Sequence, residues 1–557
     1  MCGIFALCNN TIPHQNVIDS FNNGQNRGPE FSKLMNVSNQ ITIGFHRLAI
    51  NGIDSISNQP FFINNVYLIC NGEIYNHSSL FDMLKIKPTT NSDCEIIIHL
   101  YLKYGIEQTL NLIDGVFSFF LIDLNNEHKA FIARDPLGVR PLFIVTNENS
   151  NHSDNIIMIS SDVKSISPLV SKINSDNITN KYTINQFQPG TYSHLEIPMY
   201  PCDSTKIITS NKSYFTLPHS LLLNNPISNH NIDPVSTIHD LFLSSVKKRV
   251  NNTDRPIACL LSGGLDSSLV TSLVSSLLPN DKKLETWSIG LEGSEDLKYA
   301  KYVSNYLNTD HHEIILTEQD FFNEIPNVIY NIESYDVTTV RASIGNYLVA
   351  KNISENSRAK VIFNGDGADE LFGGYLYTQN CPNPTEFDQE TRRLLNNIAF
   401  FDVLRSDKSI SSNGLEPRTP FLDKSLVSFY MMLPNEIKFK FHKISGKNII
   451  RSAFDSLHNY LPHDVLWRKK EAFSDGVSKK ERSLFQIIQE NIRSYYNSQN
   501  INTTNISDIQ LEKKYYKDIF DNCFPNSSQL IPYYWMPKYS STEDPSARTI
   551  EIYDSAI

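Results

Sequence analysis

Cysteine stands second in this chain, in Met1-Cys2-Gly3-Ile4-Phe5, and loss of the initiator methionine would leave one residue with both a thiol and a free α-amine. A thiol attacks a carbonyl as its thiolate, and an unperturbed pKa of about 8.5 leaves little of that form at neutral pH. An α-amine titrates near about 7.7–8.0, so the same residue can supply its own base. Other groups that an amidase acting on free glutamine needs follow in order. Arg47 can take an α-carboxylate in bidentate fashion, and Asp93 can take an α-ammonium. The Asn71 amide and the Gly72 N–H can face a developing oxyanion, glycine allowing close backbone approach.

A second constellation begins at Ser262-Gly263-Gly264-Leu265-Asp266-Ser267-Ser268. Two glycines and flanking serines between a buried strand and a helix turn backbone N–H groups toward an anion. No G-x-x-x-x-G-K-[ST] loop occurs. Asp266 inside a phosphate-binding turn makes chemical sense as a Mg²⁺ ligand, because Mg²⁺ takes one or two carboxylates plus phosphate oxygens. Asn364-Gly365-Asp366-Gly367-Ala368-Asp369-Glu370 follows a further strand, where ligands bind in parallel sheets, and Asp369 is the natural second Mg²⁺ ligand. Thr338 and Arg341 suit an amino-acid substrate. Lys470, beside Gly446-Lys447 and Arg468 in the set, can neutralise a departing pyrophosphate.

The elements that must position these groups fall into two regimes. Up to about residue 201, strand candidates Ile41–Phe45, Val66–Cys70, Val116–Ile122 and Ala130–Arg134 are interrupted by a helical stretch at 94–104, a β-sandwich pattern with covering helices. Residues 202–235 are Asn/Ser/Pro-rich and read as a linker. Beyond it, strands at 256–261, 284–290 and 313–316 alternate with helices at 267–278, 296–307 and 321–332, which implies a parallel sheet with helices on both faces. Helices dominate from about 386 to 495. The expected division is 2–201, 202–235, 236–540 and a tail at 541–557.

Composition closes off other classes. A net charge of −11 and pI near 5.8 argue against a nucleic-acid surface, which needs clustered cations. The eight cysteines have no C-x-x-C pair, so a reducing compartment is expected rather than a disulfide framework. The opening residues lack the basic stretch of a signal peptide, and no apolar run reaches membrane-spanning length. A soluble, cytoplasmic protein is expected, with small-molecule partners, no nucleic acid and no membrane, and with a homodimer left open. His311-His312-Glu313 reads as strand rather than metal site.

M-C-G-I-F, R-G-P, R-L-A-I, N-G-E-I-Y-N, S-D-C-E and the segment Arg134–Leu142 together resemble the class II glutamine amidotransferase domain. The resemblance implies Cys2 as nucleophile, Asn71 and Gly72 as oxyanion donors, and glutamine bound by Arg47, Leu48, Ala49, Ile50, Asn51, Asn71, Gly72, Glu73 and Asp93. With the S-G-G-x-D-S loop, E-P-R-T-P-F, R-K-K-E-A-F-S-D-G and D-P-S-A-R added, the whole chain is similar to the glutamine-hydrolysing asparagine synthetase family. That implies an α+β N-terminal-nucleophile amidohydrolase sandwich (αββα) joined to an α/β pyrophosphate-loop ATP-binding domain with a helical C-terminal part. It implies ATP contacts at Leu260, Ser262, Gly263, Gly264, Asp266, Ser267, Ile289, Asn364, Gly365 and Lys470, aspartate at Thr338 and Arg341, and Mg²⁺ at Asp266 and Asp369. The substrates implied are glutamine, aspartate and ATP. The family's usual S-G-E-G-S-D-E reads N-G-D-G-A-D-E here, so Asp366 stands where a glutamate is tied to forming and consuming an aspartyl-adenylate. It keeps the charge one methylene shorter. A related glutamine-dependent amidotransferase with another carboxylate acceptor is the rival; β-lactam-forming relatives lack the nucleophilic cysteine. A non-catalytic metabolic sensor is the rival of a different class, disfavoured by the complete catalytic set.

Overall fold

A computed structural model describes residues 2–9, 12–125, 129–147, 156–176, 181–196, 206–220, 233–279, 281–455, 459–468, 476–478, 482–551 and 553. The N-terminal part is built on two six-stranded antiparallel sheets. The first runs Tyr182–Gln186, Phe143–Asn147, Ile157–Ser160, Gly3–Cys8, Ile41–Arg47, Phe31–Ser38 in spatial order. The second runs Lys206–Ser213, Thr191–Glu196, Lys129–Arg134, Gly115–Asp123, Val66–Ile74, Phe61–Ile63.

Side-chain alternation makes the layers. In Gly3–Cys8, Ile4, Ala6 and Cys8 meet Phe120, Ile122 and Ile132 of the facing sheet, while Phe5 and Leu7 turn outward onto Val17 and Phe21 of helix His14–Asn22. In Gly115–Asp123, Phe120 and Ile122 face the other sheet, whereas Phe117, Phe119 and Leu121 face Ile96, Ile97 and Leu100 of helix Ile96–Leu112. A period of two on strands buried on both faces gives helix, sheet, sheet, helix.

The other part carries a parallel five-stranded sheet ordered Asp310–Leu316, Glu285–Leu291, Ile257–Leu260, Val361–Phe363, Glu416–Arg418. Chain order reverses between Ile257–Leu260 and Val361–Phe363, which pair as Ala258↔Ile362 and Cys259↔Phe363. Ligands bind at the carboxyl ends of strands at such a reversal, and both glycine-containing loops leave from there.

Several expectations need correction. The expected helix 321–332 is two helices, Glu318–Asn323 and Ile325–Ile332, the second with Pro326 in its first turn, where a missing N–H costs nothing. The boundary at 201 falls short, because Lys206–Ser213 extends the second sheet as its edge strand; polar Asn, Ser and Lys suit a solvated edge and hid the strand in a linker-like composition. Residues 202–205 and 221–232 of that linker lie outside the described residues, and Pro234 opens a helix capped by Asp233. The boundary at 540 is not a structural one either: Asp544 pairs with Arg341 of the parallel-sheet region. No described helix is long and apolar enough to cross a membrane.

Candidate active sites

Cys2 sits at the start of strand Gly3–Cys8, half-buried. Its backbone N–H donates to Asn71 Oδ1 at 3.0 Å, and its thiol lies 3.7 Å from the Leu48 carbonyl oxygen. Arg27 Nε donates to the Cys2 carbonyl at 3.1 Å. Burial pushes the thiol pKa up, and the neighbouring Arg47 cation opposes that. Asn71 is fully buried on strand Val66–Ile74, and its Nδ2 lies 3.4 Å from Ser161 Oγ. The nucleophile candidate thus opens a strand of one sheet, while Asn71 stands within strand Val66–Ile74 of the facing sheet, which runs on past the expected end at Cys70.

Arg47 reaches the same corner. Its Nη1 donates to the Asp54 carbonyl at 2.8 Å and to Asn58 Oδ1 at 2.6 Å, and Nη2 donates to the Asn51 and Gly52 carbonyls. It thus braces the loop that holds Leu48, Ala49, Ile50 and Asn51. Asn51 Nδ2 donates to Glu73 at 2.6 Å, and the Ile74 N–H donates to Asp93 at 2.6 Å. Burial, then the charges of Asp93 and Glu416, hold the Glu73 carboxyl well above the usual range.

Sequence reasoning missed the outer brace of this corner. Asn252 donates to Glu73 at 2.8 Å, the Gly52 N–H donates to Asp254 at 2.8 Å, and Arg255 reaches both the Ala49 carbonyl at 2.7 Å and Glu30 at 2.6 Å. These residues follow the helix Pro234–Asn251 and belong to the other half of the chain. A polar N-T-D-R run ahead of a buried strand carries no signal of that partner.

The parallel-sheet region holds a cavity of about 610 Å³. Among its lining are Leu260, Ser262, Gly264, Asp266, Ser267, Ile289, Asn364, Gly365, Asp366, Asp369 and Thr338, brought together from both glycine loops. Gly263 adopts φ +71°, and a Cβ there would meet the Tyr299 backbone carbon at 2.4 Å, so only glycine fits. A Cβ on Gly365 would lie 2.8 Å from Asp266 Cβ, which shows how closely the two loops pack. The Ser262 N–H and the Gly264 N–H are held by serine hydroxyls of the same loop, ahead of helix Leu265–Leu277.

Asp266 and Asp369 converge on one cation: Lys447 Nζ lies 2.5 Å from each. Two carboxylates of the cavity lining that share a single positive centre are of the kind Mg²⁺ takes. Thr338 lines the cavity with a buried hydroxyl that has no hydrogen-bond partner among the described residues. Arg341 is the correction. Its guanidinium is gripped by Glu512 at 2.6–2.8 Å and by Asp544 at 2.7–2.9 Å, and it is absent from the lining of the main cavity. Two carboxylates compete better than neutral groups for a buried guanidinium, so here Arg341 ties the tail to the fold. Lys470 lies outside the described residues, while Arg468 reaches the Gly263 carbonyl at 2.9 Å.

A helix that the sequence did not mark as functional, Asp402–Ser411, lies between the two sites. Toward the cavity, Arg405 pairs with Asp366 at 3.0 Å and with Asp402. Toward Cys2, Asp407 pairs with Arg27 at 2.8 Å and Lys408 with Asp162 at 2.7 Å and with Glu333. Burial would raise the Asp162 carboxyl, yet Lys408 and Arg27 more than offset it and hold it well below the usual range.

Comparison with known proteins agrees with this division. A family model described as asparagine synthase matches residues 237–383 and 378–543, and one described as a glutamine amidotransferase domain matches 1–210. Curated proteins named asparagine synthetase [glutamine-hydrolyzing] align over all of both chains: that of Cricetulus griseus is 38% identical over 578 residues, that of Gallus gallus 38% over 587, and that of Homo sapiens 36% over 575. A thiol beside an amide donor in one half, a loop-walled cavity with paired carboxylates in the other, and likeness along the full length lead to one statement: the chain belongs to the glutamine-hydrolysing asparagine synthetase family.

Proposed function

We propose that this chain makes L-asparagine from L-aspartate, ATP and the amide nitrogen of glutamine, releasing AMP, pyrophosphate and glutamate. Processing of the terminus turns the Cys2 N–H that meets Asn71 Oδ1 at 3.0 Å into an α-amine that can take the thiol proton. The thiolate attacks the glutamine amide carbon, the oxyanion is met by Asn71 and the Gly72 N–H, and ammonia leaves behind a glutamyl thioester that water hydrolyses. Arg47 and Asp93 hold the substrate's two charged ends. The N-terminal layers read as an N-terminal-nucleophile sandwich on this basis.

In the cavity the loop Ser262–Ser268 reads as a pyrophosphate loop, with adenine against Leu260, Ile289, Asn364 and Gly365. Aspartate lies by Thr338 and presents its β-carboxylate to the α-phosphate, giving β-aspartyl-AMP and pyrophosphate. Asp366 acts on this step. Asp266 and Asp369 would hold Mg²⁺, which when bound would neutralise phosphate charge; Lys447, released from their shared oxygens, and Lys470 add positive charge at the same phosphates. Ammonia must reach the adenylate unprotonated, so an enclosed route past helix Asp402–Ser411 belongs to this reading. The described cysteines are all free thiols, which suits work in the cytoplasm.

The observation that carries the reading is the pairing of a terminal cysteine hydrogen-bonded to Asn71 with a separate cavity walled by Asp266, Asp366 and Asp369. Cys2→Ala tests it. Asparagine formation from glutamine is expected to vanish while formation from ammonium chloride persists. Equal loss of both would overturn the two-site scheme.

A further inference from the structure

The tail of the chain returns to the cavity. Tyr533 and Trp535 line it, while Tyr534 between them packs on Tyr335 instead, with ring centroids 5.6 Å apart. Three contacts seat this segment. The Trp535 N–H donates to Asp336 Oδ1 at 2.7 Å, Asp544 grips Arg341 at 2.7–2.9 Å, and the Tyr539 carbonyl accepts from Asn380 Nδ2 at 3.1 Å. Asp336 is fully buried, and its other oxygen caps helix Val337–Asn356 by accepting the Thr339 N–H at 2.9 Å and the Thr339 hydroxyl at 2.7 Å. One carboxylate therefore ties the tail to the helical turn that carries Thr338.

Thr338 and Trp535, with Tyr375 and Leu376, line both the main cavity and a small recess of about 60 Å³ beside it. They stand where the two spaces meet, and the Thr338 hydroxyl there has no hydrogen-bond partner among the described residues. Trp535 is 8% exposed, and its ring packs on Tyr375 at 5.3 Å and on Tyr377 at 6.0 Å. The Tyr375 hydroxyl is taken by Glu370. Beside Thr338 the tail thus contributes an apolar aromatic wall.

Glutamine hydrolysis yields glutamate, an acid one methylene longer than aspartate, from the same molecule that must adenylate aspartate. In an acceptor site open beyond Thr338, a glutamate γ-carboxylate oxygen could attack the α-phosphorus of ATP and expel pyrophosphate, as the β-carboxylate of aspartate does. One methylene against a closed pocket is worth roughly 10–200-fold in kcat/KM. We propose that Trp535 is a specificity-determining residue: seated by Asp336, its ring closes the acceptor site beside Thr338 and keeps glutamate from being adenylated in place of aspartate. The proposal rests on the reading that aspartate lies by Thr338.

The experiment compares the full-length enzyme with W535A, W535F and T338V, following pyrophosphate release with ATP, ammonium chloride and either aspartate or glutamate. W535A is expected to lower the ratio of kcat/KM for aspartate over glutamate at least about tenfold, with release on glutamate rising above the parent's and KM for ATP little changed. W535F, which keeps a smaller ring, should fall between the two. A gain on glutamate is an effect that general loosening cannot produce. Melting temperatures identify a variant that fails to fold, and W535L then takes the place of W535A. An unchanged ratio, or equal losses on both acids, overturns the proposal. T338V tests the underlying reading. A KM for aspartate like the parent's would place the acceptor elsewhere, and the role of Trp535 would fall with it; a raised KM beside an unchanged W535A ratio would sink the wall alone.

Discussion

His442 offers the sharpest pH test of the fold around the cavity. It lies on helix Asn435–Ile444, buried, stacked on Phe387 with ring centroids 4.4 Å apart, with Nε2 3.0 Å from the Thr378 carbonyl. An imidazole that meets a carbonyl in this way donates its proton there and stays neutral. Burial pushes its pKa down to about 4, against about 6.5 for an exposed histidine. The folded pKa is lowered, so between these values the unfolded segment binds a proton that the native one does not. Stability is therefore lost as pH falls from about 6.5 toward 4, and linkage gives a total of about 3 kcal/mol below that window. Between pH 7 and pH 5 the loss amounts to about 2 kcal/mol. The helix leads directly into Ser445, Gly446 and Lys447, which line the cavity, so local opening here loosens the wall that carries the shared cation. Amide hydrogen exchange over residues 435–447, corrected for intrinsic chemical rates, measures the opening free energy. The parent protein should lose about 2 kcal/mol of protection across that range, and H442Q should lose almost none of it. Equal slopes in the two proteins would refute the assignment of a neutral, proton-resisting imidazole.

Three further outcomes follow from the geometry. Asp266→Ala or Asp369→Ala should cut AMP formation at least about a hundredfold with either nitrogen source, because each removes one of the two carboxylates that share a cation, while glutamate release from glutamine stays measurable; a glutamine site that fails as well would contradict the separation of the two chemistries. Arg255→Ala should raise KM for glutamine roughly tenfold, the equivalent of about 1.4 kcal/mol, with little effect on ammonia-dependent synthesis, as steady-state kinetics with each donor would show. Lys408→Met removes the nearest cation from the buried carboxylates of Asp162 and Glu333, leaving Asp162 only the more distant Arg27, and should cost about 3 kcal/mol, visible as a lower urea midpoint; an unchanged midpoint would mean that these carboxylates take up protons without penalty.

Much of the chemistry was legible because it is local. Cys2, Asn71, Asp93 and the two glycine loops are short runs whose residue types suggest their use, and strand periodicity placed Cys2 and both loops next to interior strands of their sheets. Long-range partners left no such mark. Nothing in the run Asn252–Arg255 announces that it braces the loop 48–52, since the interaction spans roughly the distance between two halves of the chain and depends on how they dock. Arg341 misled for the same reason: its claim on an amino-acid carboxylate looked free until the fold brought Glu512 and Asp544 to it. Lys206–Ser213 was hidden because an exposed edge strand has no need of apolar alternation. Asp402 and Arg405, three apart on a helix, carry a pattern that a surface ion pair would share.

The helix Asp402–Ser411 has a consequence for genetics. Arg405 and Lys408 are one helical turn apart, about 4.5 Å along the axis, yet one serves the nucleotide side and the other the thiol side. Substitutions in this segment will not sort into those that spoil nitrogen release and those that spoil its acceptor. A shift of the cylinder by a fraction of an ångström displaces both, and suppressors of a lesion at one end are to be sought at the other.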